Sequence, residues 1–545
     1  MATLSRLAKY AFPNRTSFAR LQHPLQNSAL VRRCSLLLVE SNDSNARTMA
    51  TSAQPLPKYQ EFMSSATLIR DKAYIDGKWV GSADGETFDV INPATQEKIG
   101  VVADCGPEDT QRAIEAAFHA FQTWKKTTPK QRSAALRRWF ELITKHTKEL
   151  SMILTAENGK PLAEAEAEVA SGASFFEWYS EMIRHVTGEV IEAPAKGRQL
   201  FAIKEPVGVC GLITPWNFPS SMLARKVSAA VAAGCTVVMK PAAETPLSAL
   251  ALAALAEEAG IPPGVVNIVA GKKASEIGKV LCESPLVAKI SFTGSTHVGK
   301  LLMQQSALTM KRVSMELGGN APFIVFDSAD LKAAVEAAVF CKFRASGQTC
   351  ICANRILVQE KIYDEFVQKM GEEIEKKLKV GNGFDQSSTQ GPLINRKALD
   401  KVTAHVEDAV SNGGKIVRGG KGHKAGPQFF EPTLIRDVPE DALIMREETF
   451  GPVAPIVKFR TEEEAVKIAN STSVGLAGYF FSQDMAQIWR VAKKLEVGMV
   501  GANTAMISTV EAPFGGVKES GLGREGSHYG LVEYQNVKYI CLGGL

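Results

Sequence analysis

No uninterrupted apolar run in this 545-residue chain reaches the ~18 residues that a membrane-spanning helix requires. The Ala/Val-rich stretches near 227–239 and 247–256 are broken or flanked by polar residues and read as buried α/β elements. There is no C-x-x-C pair, and the eight histidines include no H-E-x-x-H. The common signatures of a protein-held zinc ion are therefore missing, and no metal is expected. The nine cysteines, at 34, 105, 210, 235, 282, 341, 350, 352 and 541, are odd in number and scattered, which excludes a secreted disulfide framework. Internal repeats and low-complexity tracts are also missing. Acidic residues are absent from the first 39 positions, which carry Arg6, Lys9, Arg15, Arg20, Arg32 and Arg33. These six charges account for the nominal +5 and leave the remainder near −1, so no basic field points to nucleic acid. An Arg- and Ser-rich, acid-free leader fits a mitochondrial transit peptide, expected over residues 1–48.

What is present is ordinary for a soluble enzyme: 45% hydrophobic and 22% charged residues. The length predicts two or three domains. Ile75–Val80 reads as part of a hairpin. Pro107 to about Lys148 shows three- and four-residue apolar spacing (Ile114, Ala117, Phe118, Phe121, Leu136, Trp139, Phe140, Ile143) and predicts helix. Thr155–Arg184 continues as helix, interrupted near Gly159 and Pro161. From residue 207 short β-branched runs alternate with Ala-rich helices. Strands are predicted at 207–213, 236–240, 265–269 and 288–293, with helices at 223–233, 246–259 and 297–307. This alternation predicts a doubly wound parallel sheet. A second α/β set follows, with strands at 322–326, 355–358 and 453–459, helices at 331–341, 362–379 and 462–469, and a turn-rich region near 411–427.

Arg344-Ala-Ser-Gly-Gln-Thr-Cys-Ile-Cys-Ala-Asn-Arg355 brings the chain through a small-residue turn to a thiol at Cys350. A thiolate is a strong nucleophile where dipoles or donors stabilise its anion, although an isolated Cys is more often a small buried hydrophobe. Thr293-Gly-Ser-Thr-His-Val-Gly299 lies where a strand passes into a helix, a setting suited to anions, yet its spacing is not G-x-G-x-x-G. Such a glycine turn by itself is more often packing punctuation. Two further segments stand out: Thr214-Pro-Trp-Asn-Phe-Pro219 and Met315-Glu-Leu-Gly-Gly-Asn320.

These four motifs, in this order, resemble the aldehyde dehydrogenase superfamily from about residue 70 to the C-terminus. The resemblance implies an α/β fold with a Rossmann-type NAD(P)-binding domain (49–187 and 207–316). It further implies an α/β catalytic domain (317–515) and a small bridging β element for oligomerisation (188–206 and 516–545), in a homodimer or homotetramer. It implies Cys350 as nucleophile, with Asn217 and the Cys350 backbone N–H holding the oxyanion. Glu316 is implied as the base that activates water against the thioester. A carboxylate in so apolar a stretch can have its pKa raised towards neutrality. The dinucleotide is expected to run along Thr214, Pro215, Trp216, Gly294, Ser295 and Gly299. Lys240 is implied at the adenine ribose, with Glu448 and Phe450 at the nicotinamide end. Three residues after Lys240, many NAD-preferring members carry Glu; here the position is Ala243, so NADP is expected alongside NAD.

Within the superfamily the chain is most similar to the branch that oxidises succinate semialdehyde to succinate in 4-aminobutyrate breakdown, in the mitochondrial matrix. Arg225, Arg344 and Ser508 match that branch's carboxylate ligands, and a guanidinium fork suits a carboxylate. For each arginine the alternative reading is a structural salt bridge. The same resemblance implies a reversible disulfide between Cys350 and Cys352, for which plain apolar filling by Cys352 is the alternative. Competing readings are glutarate semialdehyde or a broad aldehyde range, a cysteine acyltransferase or esterase without redox chemistry, and a non-catalytic homologue.

Overall fold

The alternation after residue 207 builds an eight-stranded sheet whose spatial order is Lys78–Val80, Ala73–Ile75, Val266–Ile268, Thr236–Lys240, Val209–Ile213, Val287–Thr293, Arg312–Glu316, Gly521–Leu522. This computed structural model describes Phe62 and residues 65–545. The leader expected over 1–48 lies outside the described residues. The five strands from Val266–Ile268 to Arg312–Glu316 run parallel, and antiparallel strands close both edges. In chain order these five read 3-2-1-4-5. The order therefore reverses between Val209–Ile213 and Val287–Thr293, and ligands in doubly wound sheets bind outside the strand ends at such a switch point.

A second sheet has seven strands, in the order Lys415–Arg418, Thr433–Arg436, Val453–Phe459, Ala353–Gln359, Ala321–Val325, Ala477–Phe481, Met499–Ala502. Every pair but the first is parallel. Strand side chains alternate between faces, and the core follows suit. Phe323, Val325, Ile356 and Val358 pack in one cluster, while Ile324 and Leu357 pack in another on the opposite face. The strand Arg312–Glu316 and the two carboxyl-terminal strands of this sheet were not predicted, and Lys415–Arg418 falls in the region expected to be turns.

The helix expected over 107–148 is two helices, Pro107–Trp124 and Pro129–Lys145. Periodicity ran on through the break because both helices bury a stripe of similar residues. Pro129 decides it, since a proline lacks the N–H that a helix interior needs but fits the first turn. Thr128 completes a reciprocal cap: its hydroxyl accepts from Gln131 N at 3.3 Å, and its own N–H donates to Gln131 Oε1 at 2.8 Å. Helices Thr147–Asn158 and Leu162–Met182 follow, separated at Gly159, whose φ of +85° ends the first in the left-handed region.

A three-stranded antiparallel sheet joins Glu189–Ile191, Arg198–Pro206 and Gln535–Gly543. It carries exposed Val190, Val537, Tyr539 and Leu542. Val537 and Tyr539, two residues apart on one strand, share a face of this sheet.

Candidate active site

The helix Pro219–Ala233 is buried along its whole length. Burying Arg225 and Lys226 with it demands partners. Lys226 Nζ donates to Glu525 Oε1 and, at 3.1 Å, to Ser291 Oγ. Arg225 Nη1 lies 3.5 Å from Glu525 Oε2. Its guanidinium stands 4.5 Å from the Phe514 ring and 5.0 Å from Phe175. Arg225 Nε and Nη1 are buried with no hydrogen-bond partner among the described residues.

In front of this helix is a cavity of about 510 Å3. Its lining comes from the carboxyl ends of the first sheet's strands (Pro215–Asn217, Thr293–Ser295, Glu316–Gly318) and from segments entering the second sheet (Cys350, Glu448–Phe450, Leu476). The switch point of the first sheet thus opens onto the thiol. Of the sequence-predicted residues, Pro215, Trp216, Asn217, Gly294, Ser295, Glu316, Cys350, Glu448 and Phe450 line this space. Thr214, Arg225, Lys240, Ala243, Gly299, Arg344, Ser508 and Cys352 do not. Arg225 lies behind Phe514, and Arg344 lies 5.2 Å over the ring of Phe218. Ser508 is exposed in the segment after Met499–Ala502. Cys352 is buried with its Sγ 3.6 Å from the Lys342 carbonyl. Gly299 packs against Leu317, so a helix–sheet contact rather than a ligand explains that glycine.

The turn before Cys350 is strained. Ala345, Ser346 and Gly347 have φ of 49°, 57° and 74°, a run of left-handed residues that a non-glycine chain adopts only when its surroundings impose it. Ala345 N donates to Glu164 Oε1 at 3.0 Å, Ser346 Oγ to Gly391 O at 2.8 Å, and Gln348 N to Ala345 O at 3.0 Å. Gln348 extends the grip, its Oε1 accepting from Ile394 N at 3.0 Å. Asn217 Nδ2 donates to Gln348 O at 3.0 Å. A side-chain amide has two N–H bonds, so the second is left for an oxygen in the cavity.

Burial pushes the Cys350 thiol up to about 12, with Glu448 and Glu316 adding to the shift and Arg225 opposing it. Burial thus disfavours the thiolate here, so forming the nucleophile calls for a base to take its proton. Glu316 closes the strand Arg312–Glu316, and both its carboxyl oxygens are buried without a hydrogen-bond partner among the described residues. Burial first, then Glu525, raises its pKa well above the usual carboxylate range, against the pull of Lys226 and Arg225. Room for this carboxyl depends on Gly515, where an added Cβ would stand 2.9 Å from Glu316 Oε1.

Several features suit a dinucleotide. Ser295 caps the helix Thr296–Ser306, and the buried Thr293 hydroxyl has no partner among the described residues. Glu448 accepts from Gly319 N at 3.3 Å and is raised by burial to about 7. Phe450 meets Trp216 edge-on at 5.5 Å. Lys240 is buried away from the cavity with its Nζ on Pro241 O at 2.9 Å, and burial lowers its pKa to about 8 against Glu244 and Asp104. No group of three or more His, Cys, Asp or Glu among the described residues is placed to hold a metal.

Sequence reasoning missed Glu525, Lys226, Gln348 and Phe514. Glu525 sits in Gly521-Leu-Gly-Arg-Glu-Gly526, which reads only as a turn. Lys226 looks like any lysine of an Ala-rich helix.

The model of the aldehyde dehydrogenase family matches residues 79–540. The mitochondrial succinate-semialdehyde dehydrogenase of Rattus norvegicus is 58% identical over 88% of this chain and 92% of its own length. The glutarate-semialdehyde dehydrogenase of Pseudomonas aeruginosa is 52% identical over 89% of this chain and all of its own. Among solved structures, an NADP-dependent enzyme of E. coli superposes with a TM-score of 0.86 at 50% identity, covering 87% of this chain and 98% of that one.

Proposed function

The chain belongs to the aldehyde dehydrogenase family, and from that premise we propose that it oxidises succinate semialdehyde to succinate with NAD(P)+ in 4-aminobutyrate breakdown. The observation that carries the substrate is the buried guanidinium of Arg225 behind Phe514, with two nitrogens unbonded. A buried cation short of acceptors is costly, and a substrate carboxylate would satisfy it.

Cys350 Sγ attacks the aldehyde carbon after its proton passes to a base, of which Glu316 is the candidate. The resulting thiohemiacetal oxyanion is held by the free Asn217 N–H and the Cys350 backbone N–H. A bound dinucleotide would supply the hydride acceptor for oxidation of the thiohemiacetal to a thioester, and Thr214–Trp216, Gly294, Ser295, Glu448 and Phe450 would hold it. Glu316 first gives up the thiol proton to solvent; ionised again, it takes a proton from water, whose oxygen adds to the thioester carbon and expels Cys350 as thiolate. Arg225 and Arg344, with Ser508, would hold the distal carboxylate, which requires Phe514 or Phe218 to yield as substrate enters.

Arg225→Ala is expected to lower kcat/KM for succinate semialdehyde by about 10²-fold, the worth of a charge-assisted pair, and to change that for butanal less than about threefold. Steady-state kinetics on both aldehydes measures this, and an equal loss on both would remove the carboxylate role. The relative named for glutarate semialdehyde keeps one alternative in play, separated by running the two ω-carboxylate aldehydes side by side.

Ala243 supports use of both cofactors, tempered by Glu244, whose charge reaches Lys240. Ala243→Glu is expected to lower kcat/KM for NADP about tenfold by repelling the 2′-phosphate while sparing NAD. Unchanged kinetics with NADP would place that phosphate elsewhere. The names of the mitochondrial relatives and the basic leader support import into mitochondria. Exposed Val190, Val537 and Tyr539 on the three-stranded sheet support self-association as a dimer or tetramer.

A further inference from the structure

The motif that ends helix Thr147–Asn158 and opens helix Leu162–Met182 plays no part in the chemistry above, yet its polar side chains converge on the loop that carries Asn217. Asn158 Nδ2 donates to Trp216 O at 2.9 Å. Lys160 Nζ donates to Asn217 O at 2.8 Å and to Glu168 Oε2 at 2.5 Å. Its ammonium also sits 4.0 Å over the ring of Phe218. The second Glu168 oxygen accepts from Ser220 N at 2.9 Å and Ser221 N at 3.2 Å, so this carboxylate caps the helix Pro219–Ala233 where its dipole is positive. Both members of the pair are almost wholly enclosed, with side-chain exposures of 2% and 1%. Glu164, one turn before Glu168, holds the strained turn ahead of Cys350 through Ala345 N.

A buried ion pair is seldom a net source of stability, because its desolvation offsets its attraction. Its retention here needs another reason. We infer that Lys160 and Glu168 are positioning residues, which fix the Asn217 backbone so that its amide meets the oxyanion forming at Cys350. Geometry supports this directly. Lys160 binds the main-chain carbonyl of Asn217, and Gln348 O, two residues from the thiol, binds the side-chain amide of the same residue. The amide is therefore tethered at both ends, and releasing one end lets it drift. An ångström of drift at a reacting centre is worth up to about 10²-fold in rate. The assignment rests on Asn217 as oxyanion donor.

A double-mutant cycle tests it in the full-length enzyme. Lys160→Met, Asn217→Ala and their combination are compared with the parent by the acylation burst with 4-nitrophenyl acetate, which needs no aldehyde preference. Lys160→Met is expected to slow acylation ten- to a hundredfold in the parent and less than twofold in the Asn217→Ala background. Equal slowing in both backgrounds, or no slowing in the parent, overturns the inference. Lys160→Met leaves a lone buried carboxylate and lowers Tm. Lys160→Met/Glu168→Gln leaves no lone charge, so it is expected to recover Tm without recovering the burst rate; recovery of both would make the pair purely structural. If neither variant folds, Lys160→Arg is read in the same cycle, with loss expected only where Asn217 is intact. An Asn217→Ala enzyme that acylates at the parental rate removes the donor and the positioning role together. A parent inert towards succinate semialdehyde overturns the substrate while the ester cycle still decides the clamp.

Discussion

Cys350→Ala is expected to reduce kcat for aldehyde oxidation by more than about 10⁴-fold, because a covalent route loses its nucleophile outright. Cofactor binding should persist, since Glu448, Phe450 and the Ser295 helix terminus do not depend on the sulfur. Folding should persist as well: the thiol lines the cavity, and replacing it removes little packing. Turnover and fluorescence titration with NAD(P)H measure the two quantities on one preparation. Residual activity within tenfold of the parent would move the nucleophile elsewhere, and Cys352, buried against Lys342 O, is then the thiol to replace next.

The second large effect belongs to Glu316. Glu316→Gln keeps the shape of the side chain and removes its basicity, so turnover is expected to fall about 10²–10⁴-fold. Where hydrolysis becomes limiting, one equivalent of reduced cofactor should form per site before the reaction stalls. The pH dependence carries its own sign. Only ionised Glu316 acts as a base, and burial together with Glu525 raises its pKa well above the ordinary carboxylate range. The ionised fraction therefore grows as pH rises into that raised range, and parental turnover should grow with it. The glutamine variant should lack this limb. A limb retained unchanged would assign the titration to another group, with Glu448, raised to about 7, the first to test. Rapid-mixing absorbance across a pH series separates these outcomes.

Much of the fold can be read in the chain because alternating strands and helices leave a periodic trace. Val209–Ile213, Thr236–Lys240 and Val287–Thr293 are short β-branched runs bounded by glycine or proline, and they form as expected. Arg312–Glu316 escaped notice because it is five residues long and carries only two apolar side chains, Val313 and Met315, with an acid at its end. The split at Pro129 was missed because apolar spacing outlasts a helix break. At the candidate site, Cys350, Asn217 and Glu316 were singled out by motif, and they line one cavity. Arg225 and Arg344 were singled out as well, but no local pattern records that neither would line the cavity and that each would lie over a phenylalanine ring. Glu525, Lys226, Lys160 and Glu168 were invisible for a related reason. Their partners lie up to 299 residues away in sequence, and a charged residue in a helix or turn looks the same whether it faces water or another buried charge.

The left-handed run Ala345-Ser346-Gly347 has a consequence for anyone wishing to redirect this enzyme to other aldehydes. Side chains bulkier than alanine or serine would pay steeply for those dihedrals, so diversity introduced beside the sulfur mostly yields chains that misfold locally. The solvent-facing stretch around Met506 and Ser508 bears no such constraint, with Met506 80% exposed. Libraries seeking new specificity should start at that outer rim and leave the approach to the thiol untouched.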